Sequence, residues 1–175
     1  MSPTHRLALC GAVFALLIST RPAAAQPVAG QRTASLSGGA IAGAYGGVAA
    51  GALVAARVDQ ILPVRWFLAE AELAYAVADQ GTEVAHFAGI GLQLQLQVPF
   101  GRLQPFLGVG GGIAGQVGRP GGVYQNWDGM VSAGAGDRVA LSARLLARAE
   151  ARARHTPGVA GHTGEVTLGI GWRVR

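Results

Sequence analysis

The sequence predicts an all-β protein: an eight-stranded antiparallel up-and-down transmembrane β-barrel behind a cleavable signal peptide. Three observations lead there. The C-terminal stretch EVTLGIGWRVR alternates residue by residue between apolar and small or charged side chains. Most charges elsewhere share one strand parity with a large set of glycines. The first 25 residues have the order of an export signal.

In that signal, His5 and Arg6 precede an apolar run from Leu7 to Ile18, which ends in the small residues Ala23, Ala24 and Ala25. The run is too short for a stop-transfer helix. Residues 1–25 are therefore read as signal peptide and 26–175 as the barrel domain. Cys10, in LALC, faintly resembles a lipoprotein cleavage box, but most of the apolar run follows it, so it is expected to leave with the signal. The mature chain then has no thiol, which excludes disulfides, thiolate metal sites and cysteine nucleophiles. All 14 basic residues of the chain are arginine. They are not interleaved with aromatics as a base-stacking surface requires, so no nucleic-acid partner is expected.

The first candidate strands lie in SGGAIAGAYGGVAAGALVAA, which is uncharged from Ser37 to Ala56 and places Gly39, Gly43, Gly47 and Gly51 four apart. As a helix it would be long enough to span a membrane with a glycine packing face. As strands it reads Thr33 to Tyr45 and Gly51 to Leu62, turning near Gly46 and Gly47, with Val54, Ala56 and Val58 opposite Arg57 and Asp59. Six strands follow, and a sheet with one apolar face needs partners, so strands are preferred and the helix is the alternative.

In WFLAEAELAYAV, Phe67, Ala69, Ala71, Leu73, Tyr75 and Val77 oppose Glu70 and Glu72. In VAHFAGIGLQLQLQV, Ile90, Leu92, Leu94, Leu96 and Val98 oppose Gly89, Gly91 and three glutamines. RLQPFLGVGGGIAGQV sets Leu103, Leu107, Val109 and Ile113 against Gly108, Gly110 and Gly112, and GMVSAGAG sets Val131, Ala133 and Ala135 against Ser132 and Gly134. VALSARLLARAEARAR is rich in helix formers. A helix would scatter its arginines, whereas period two gathers Arg144, Arg148, Glu150, Arg152 and Arg154 opposite the run Val139 to Ala153. In the last strand Val166, Leu168, Ile170, Trp172 and Val174 oppose Thr167, Gly169, Gly171, Arg173 and Arg175.

An exported meander can turn its apolar face inward, as a lipocalin-like carrier, or outward to lipid. The charged parity also holds Gly89, Gly91, Gly108, Gly110, Gly112, Gly134, Gly169 and Gly171. Glycine gains nothing on a solvent-facing strand, but it makes room in a narrow lumen. The expected lumen ion-pair network is Arg57, Asp59, Glu70, Glu72, Arg144, Arg148, Glu150, Arg152 and Arg173, with Arg154 on the same parity. Periplasmic turns are expected near QILPV, VPFG and GAGDR. Outer loops are expected near YGGV, ADQGTE, GRPGGVYQN and HTPGVAGHTG, the last two longest. Phe67, Phe100 and Trp172 would form one aromatic girdle and Tyr45, Tyr75 and Trp127 the other.

RLQPFLGVGGGIA is similar to the Pro-aromatic-x-Gly-x-Gly strand of the small OmpA and OmpX type outer-membrane barrels, and EVTLGIGWRVR resembles their C-terminal assembly strand. The terminal aromatic of that strand is missing, Arg175 standing one place beyond Val174. The resemblance covers nearly the whole mature chain. It implies the outer membrane of a Gram-negative cell envelope, contact with outer-membrane lipid and lipopolysaccharide, biogenesis on the barrel-assembly machinery, and a monomer.

No catalytic, cofactor-binding or metal-ligating set emerges, and the chain is read as no enzyme. A hydrolase needs serine, histidine and acid together. His86 shares parity with Ile90 and Leu92, while His155 and His162 fall in the expected last loop, away from Ser132 and Ser142. Those two histidines would have only Glu165 to complete a metal site, and Asp79 with Glu83 is too sparse for calcium. Arginines nearby make Glu70 and Glu72 ion-pair partners rather than an acid and base. The functional expectation is a structural or surface-adhesive barrel with a plugged polar lumen, its variable chemistry in Gly118 to Asn126 and His155 to Gly164. The alternative is a periplasmic carrier of a hydrophobic ligand, and a lesser one a lipid A-modifying barrel enzyme.

Overall fold

The computed structural model describes residues 28–43, 50–80, 83–118 and 126–174. They form eight strands: β1 Arg32–Gly43, β2 Gly51–Ile61, β3 Phe67–Gln80, β4 Glu83–Gln97, β5 Leu103–Gly118, β6 Asn126–Ala140, β7 Leu145–Thr156 and β8 Gly161–Val174. Each pairs antiparallel with its sequence neighbour, and β8 returns to β1 to close the barrel. Closure leaves no free edge, so every strand satisfies its backbone on both sides, as lipid demands.

The glycine-spaced stretch is two strands, paired Ser37↔Ala55 and Gly39↔Leu53. The helical alternative fails because both flanks are committed to the barrel: Gly39 also pairs with Thr167 and Gly51 with Ala78. Tyr45 and the signal segment lie outside the described residues.

Burial alternates along most of each strand, with the apolar parity outward, and is interrupted at Gly38–Ala40 of β1 and Gly110–Gly112 of β5. Leu92 is 70% exposed, Leu168 68%, and Leu107 and Val109 63% each. Arg57, Glu70 and Gln95 are 2% exposed or less. The inverted, carrier-like barrel is excluded by this sorting, since its apolar parity would have to be the buried one.

Two connections differ from the sequence reading. GAGDR is not a turn: β6 runs through it to Ala140, and the turn is Leu141–Arg144, closed by Ser142 Oγ accepting the N–H groups of Arg144 and Leu145. Val139 therefore belongs to β6. The strand continues because Gly136 and Arg138 keep the inward parity of Ser132 and Gly134, and Arg138 finds carboxylates in the lumen. HTPGVAGHTG is not a long loop either. β7 extends to Thr156 and β8 starts at Gly161, leaving four turn residues. Pro157 cannot extend the ladder, and Gly161 adopts φ +62°, a left-handed conformation open to glycine at little cost.

β5 carries one extra residue against β4, Val117, between the Phe87↔Gln116 and His86↔Gly118 pairs. Such a bulge at a barrel rim sharpens local twist. At Gly136 a Cβ would fall 2.6 Å from Phe106 Cζ and against the Ala149 carbonyl, which is backbone and cannot yield. Gly136→Val should therefore lower the denaturant midpoint by about 1–3 kcal/mol equivalent, the usual cost of overpacking. Gly129→Val, where a Cβ meets nothing within 4 Å, should leave it unchanged.

Candidate functional site in the lumen

The inward residues of β2, β3, β4, β6, β7 and β8 meet in the lumen, and the charged ones form one connected cluster. Five arginines (Arg57, Arg138, Arg148, Arg152, Arg154) and five carboxylates (Asp59, Glu70, Glu72, Glu150, Glu165) are buried there. Their formal charges cancel. Arg57 Nε stands 2.6 Å from Glu72, and its guanidinium also meets Ser37 Oγ. Arg152 bridges Glu72 at 2.7 Å and Glu150 at 2.9 Å. Arg148 holds Glu150 at 2.9 Å and pairs with Glu70. Arg154 joins Glu72 and Glu165, both at 2.8 Å. Arg138 reaches Glu70 at 3.4 Å and Asp59 at 3.7 Å, and donates to Gln95.

Glutamines and one aromatic complete the filling. Gln93 accepts from Arg152 at 3.1 Å and from Gln95 at 2.8 Å. Phe106 lies inward with the guanidinium carbons of Arg138 and Arg148 at 4.3 and 4.9 Å from its ring centroid. Cation–π contact of this kind strengthens where water is excluded. A buried charge is tolerable only when paired and hydrogen-bonded. Inward glycines supply the room: Gly108 faces the Gln93 amide and Gly136 the Phe106 ring.

Of the nine residues expected in this network, seven are brought together. Arg144 is not: it lies exposed in the β6–β7 turn, because β7 begins one residue later, at Leu145. Arg173 borders the cluster: half-buried at the strand end on the inward parity of Thr167 and Gly171, it has Asp59 as an electrostatic partner and donates to the Ala143 carbonyl at 3.3 Å. Sequence reasoning missed Arg138, hidden by the supposed turn, and Glu165, weighed only as a metal ligand although its parity with Thr167 and Gly169 already placed it inward. Gln93 and Gln95 were assigned to the right face but not to the cluster.

The outer part of the lumen is apolar. Ile41, Leu53, Ala55, Ala74, Ala76, Ala78, Ala85 and Phe87 pack together there, with Val159 and Ala160 of the β7–β8 turn against them. A cavity of about 40 Å³ remains between this layer and Arg154, Thr156 and Thr163, enough for a water or two.

The three described histidines sit on the outward faces of strands, so His155 and His162 are not in a loop. His86 lies against Tyr75, its Nδ1 2.6 Å from the phenolic oxygen. His155 and His162 pair across β7 and β8 with rings stacked at 4.1 Å. Ser132 opposes Arg154 on the inward parity, so it and His155 are on opposite faces of the wall. Among the described residues no three of His, Cys, Asp and Glu are grouped to hold a metal ion.

Tyr75 and Trp127 are 42% and 45% exposed toward the outer end, joined through the pairs Tyr75↔Ala88, Ala88↔Gly115 and Gly115↔Trp127. Trp66, Phe67, Phe100 and Trp172 are exposed at the opposite end. Two aromatic bands bounding an apolar one are the mark of a lipid-spanning barrel.

No protein-family model matches the sequence, and no curated protein matches it. Solved structures do share its fold. Neisserial surface protein A superposes with a TM-score of 0.70 at 12% identity, over 83% of this chain and 98% of that one. OprG, an outer-membrane protein from Pseudomonas aeruginosa, gives 0.60 at 10% identity, over 84% and 97%. Ail, the attachment invasion locus protein of Yersinia pestis, gives 0.54 at 12% identity, over 84% and 100%, and has also been solved with the heparin analogue sucrose octasulfate. The chain has the fold of the small eight-stranded outer-membrane barrels.

Proposed function

We propose that the chain is a non-enzymatic outer-membrane barrel with a structural or surface-adhesive role and a sealed lumen. The charge-balanced plug of five arginines and five carboxylates carries this reading. An eight-stranded barrel is just wide enough for side chains to fill, and here they fill it with paired charges that leave no unpaired field to draw an ion through. The surrounding partners are outer-membrane lipid and lipopolysaccharide, and the assembly machinery acts on β8 during biogenesis. The protein works as a monomer.

Planar-bilayer recording tests the seal. The reconstituted protein should hold the baseline, with at most rare small openings, whereas sustained conductance would replace the structural reading with a pore.

Adhesion would be carried by the outer end, where Asp79 and Glu83 are exposed and Asp128 fixes the β7–β8 turn by accepting the Gly158 N–H at 2.7 Å. These carboxylates disfavour the polyanion that Ail was solved with. The folded protein is expected to pass through a heparin column at physiological salt, and salt-sensitive retention would reverse that assignment.

A further inference from the structure

Outside the lumen, the described charges are sorted by end. Arg32, Arg65, Arg102 and Arg144 all lie at the end where β1 begins, β8 ends and the turns β2–β3, β4–β5 and β6–β7 fall. Arg173, at the same end, is on the inward parity and acts on Asp59. The carboxylate there is Asp137, half-buried and already accepting the Gln104 N–H at 2.9 Å. The other end has Asp79, Glu83 and Asp128 and, among the described residues, no arginine. Because the lumen cluster is neutral, this polarity is undiluted by the interior.

We infer that the arginine rim is a binding surface for the phosphodiester headgroups of anionic phospholipids in the inner leaflet around the barrel. The inference rests on the outer-membrane reading, which makes this end periplasmic.

Three features favour a leaflet over a soluble partner. The arginines are spread around the circumference, one in each turn of that end and Arg32 at the β8–β1 seam, rather than gathered in one patch. They share their level with the exposed Trp66, Phe67, Phe100 and Trp172, and the Arg65 guanidinium lies 5.9 Å from the Trp66 ring centroid. Aromatic side chains of this kind settle at the headgroup level of a bilayer. Arg32, finally, is on the outward parity with Leu36, so it faces along the wall and not into the mouth. Arginine presents a planar fork that matches a phosphate, which the point charge of lysine does not.

The full mature chain is reconstituted in phosphatidylcholine vesicles, and spin-labelled phosphatidylglycerol and phosphatidylcholine are compared for the fraction immobilised at the protein. One arginine near an anionic headgroup is worth about fivefold in partitioning. Wild type should favour phosphatidylglycerol by about that factor or more, with the preference falling at high salt. In R32Q/R65Q/R102Q/R144Q the ratio should approach one, while D79N/E83Q should keep the wild-type ratio. The pairs R32Q/R65Q and R102Q/R144Q should each lose part of it, which keeps the test decisive if the fourfold variant does not fold.

A ratio near one for wild type that migrates as a folded barrel in unboiled gels would overturn the inference alone. Absence of any gel shift between boiled and unboiled wild type would instead overturn the membrane-barrel reading beneath it. Arginine-dependent sedimentation with purified peptidoglycan sacculi, combined with a lipid ratio near one, would give the rim to the cell wall and also overturn the lipid assignment.

Discussion

Glu70→Ala should destabilise the folded barrel by about 3–5 kcal/mol, the cost of removing one partner from a buried charge pair. Glu70 is 1% exposed and touches four arginines: it pairs with Arg148 and stands 3.4 Å from Arg138, 3.4 Å from Arg152 and 3.6 Å from Arg57. Deleting its carboxylate leaves a net positive charge in the buried cluster. Denaturant unfolding in neutral detergent, followed by the folded gel band, measures the loss. Glu70→Gln should cost less, because the amide oxygen still accepts from a guanidinium. Adding Arg148→Ala to Glu70→Ala should cost clearly less than the two single losses together, since the second change removes a charge that the first had stranded. Additive losses would mean that the two side chains do not share one network.

Leu168→Arg should cost about 2–4 kcal/mol, the penalty for a guanidinium on the lipid side of a barrel near mid-membrane. Leu168 is 68% exposed in the middle of β8, paired with Gly38 and Ala149, and no carboxylate is on its side of either neighbouring strand at that level. Refolding into phosphatidylcholine vesicles at graded denaturant gives the number. The comparison that matters is with Thr167, one residue away and 3% exposed, whose inward neighbours are the charges of the lumen. A polar side chain at 167 faces the charged lumen, paired across to Glu150, whereas Leu168→Arg has only hydrocarbon to meet. A Leu168→Arg protein as stable as wild type would mean that this parity does not face lipid.

Most of this architecture was legible in the sequence because period two is exact in the strands that face lipid on one side and charge on the other. β7 shows why: in LLARAEARAR the parity signal overrides a strongly helical composition, and the reward is a carboxylate or guanidinium partner for every inward charge. β1 was less legible. Its inward side chains, Thr33, Ser35, Ser37 and Ile41, are too mixed in polarity to declare a face, so only its neighbours identify it. The two misplaced turns have a common cause. Glycine, aspartate and proline signal turns locally, but Gly136 is held in β6 by the ring of Phe106 and the carbonyl of Ala149, a tertiary contact invisible in GAGDR. Arg138 was lost with that turn, and it is one of the five cations of the cluster. The apolar layer at the outer end was equally hidden, because small alanines such as Ala74, Ala76 and Ala78 read as neutral on either face.

Site-directed spin labelling along β8 tests the central claim most directly. The single cysteine of the sequence, Cys10, lies in the expected signal segment, so cysteines can be placed one at a time from Val166 to Trp172 in the mature chain. In phospholipid vesicles, collision with lipid-soluble oxygen should be high at Val166, Leu168 and Ile170 and low at Thr167, Gly169 and Gly171, with water-soluble relaxing agents excluded from both sets and reaching only Trp172, at the headgroup level. Oxygen contact peaking at the second set, or contact that repeats every three to four residues, would contradict a barrel with lipid outside and a sealed, charge-paired lumen within.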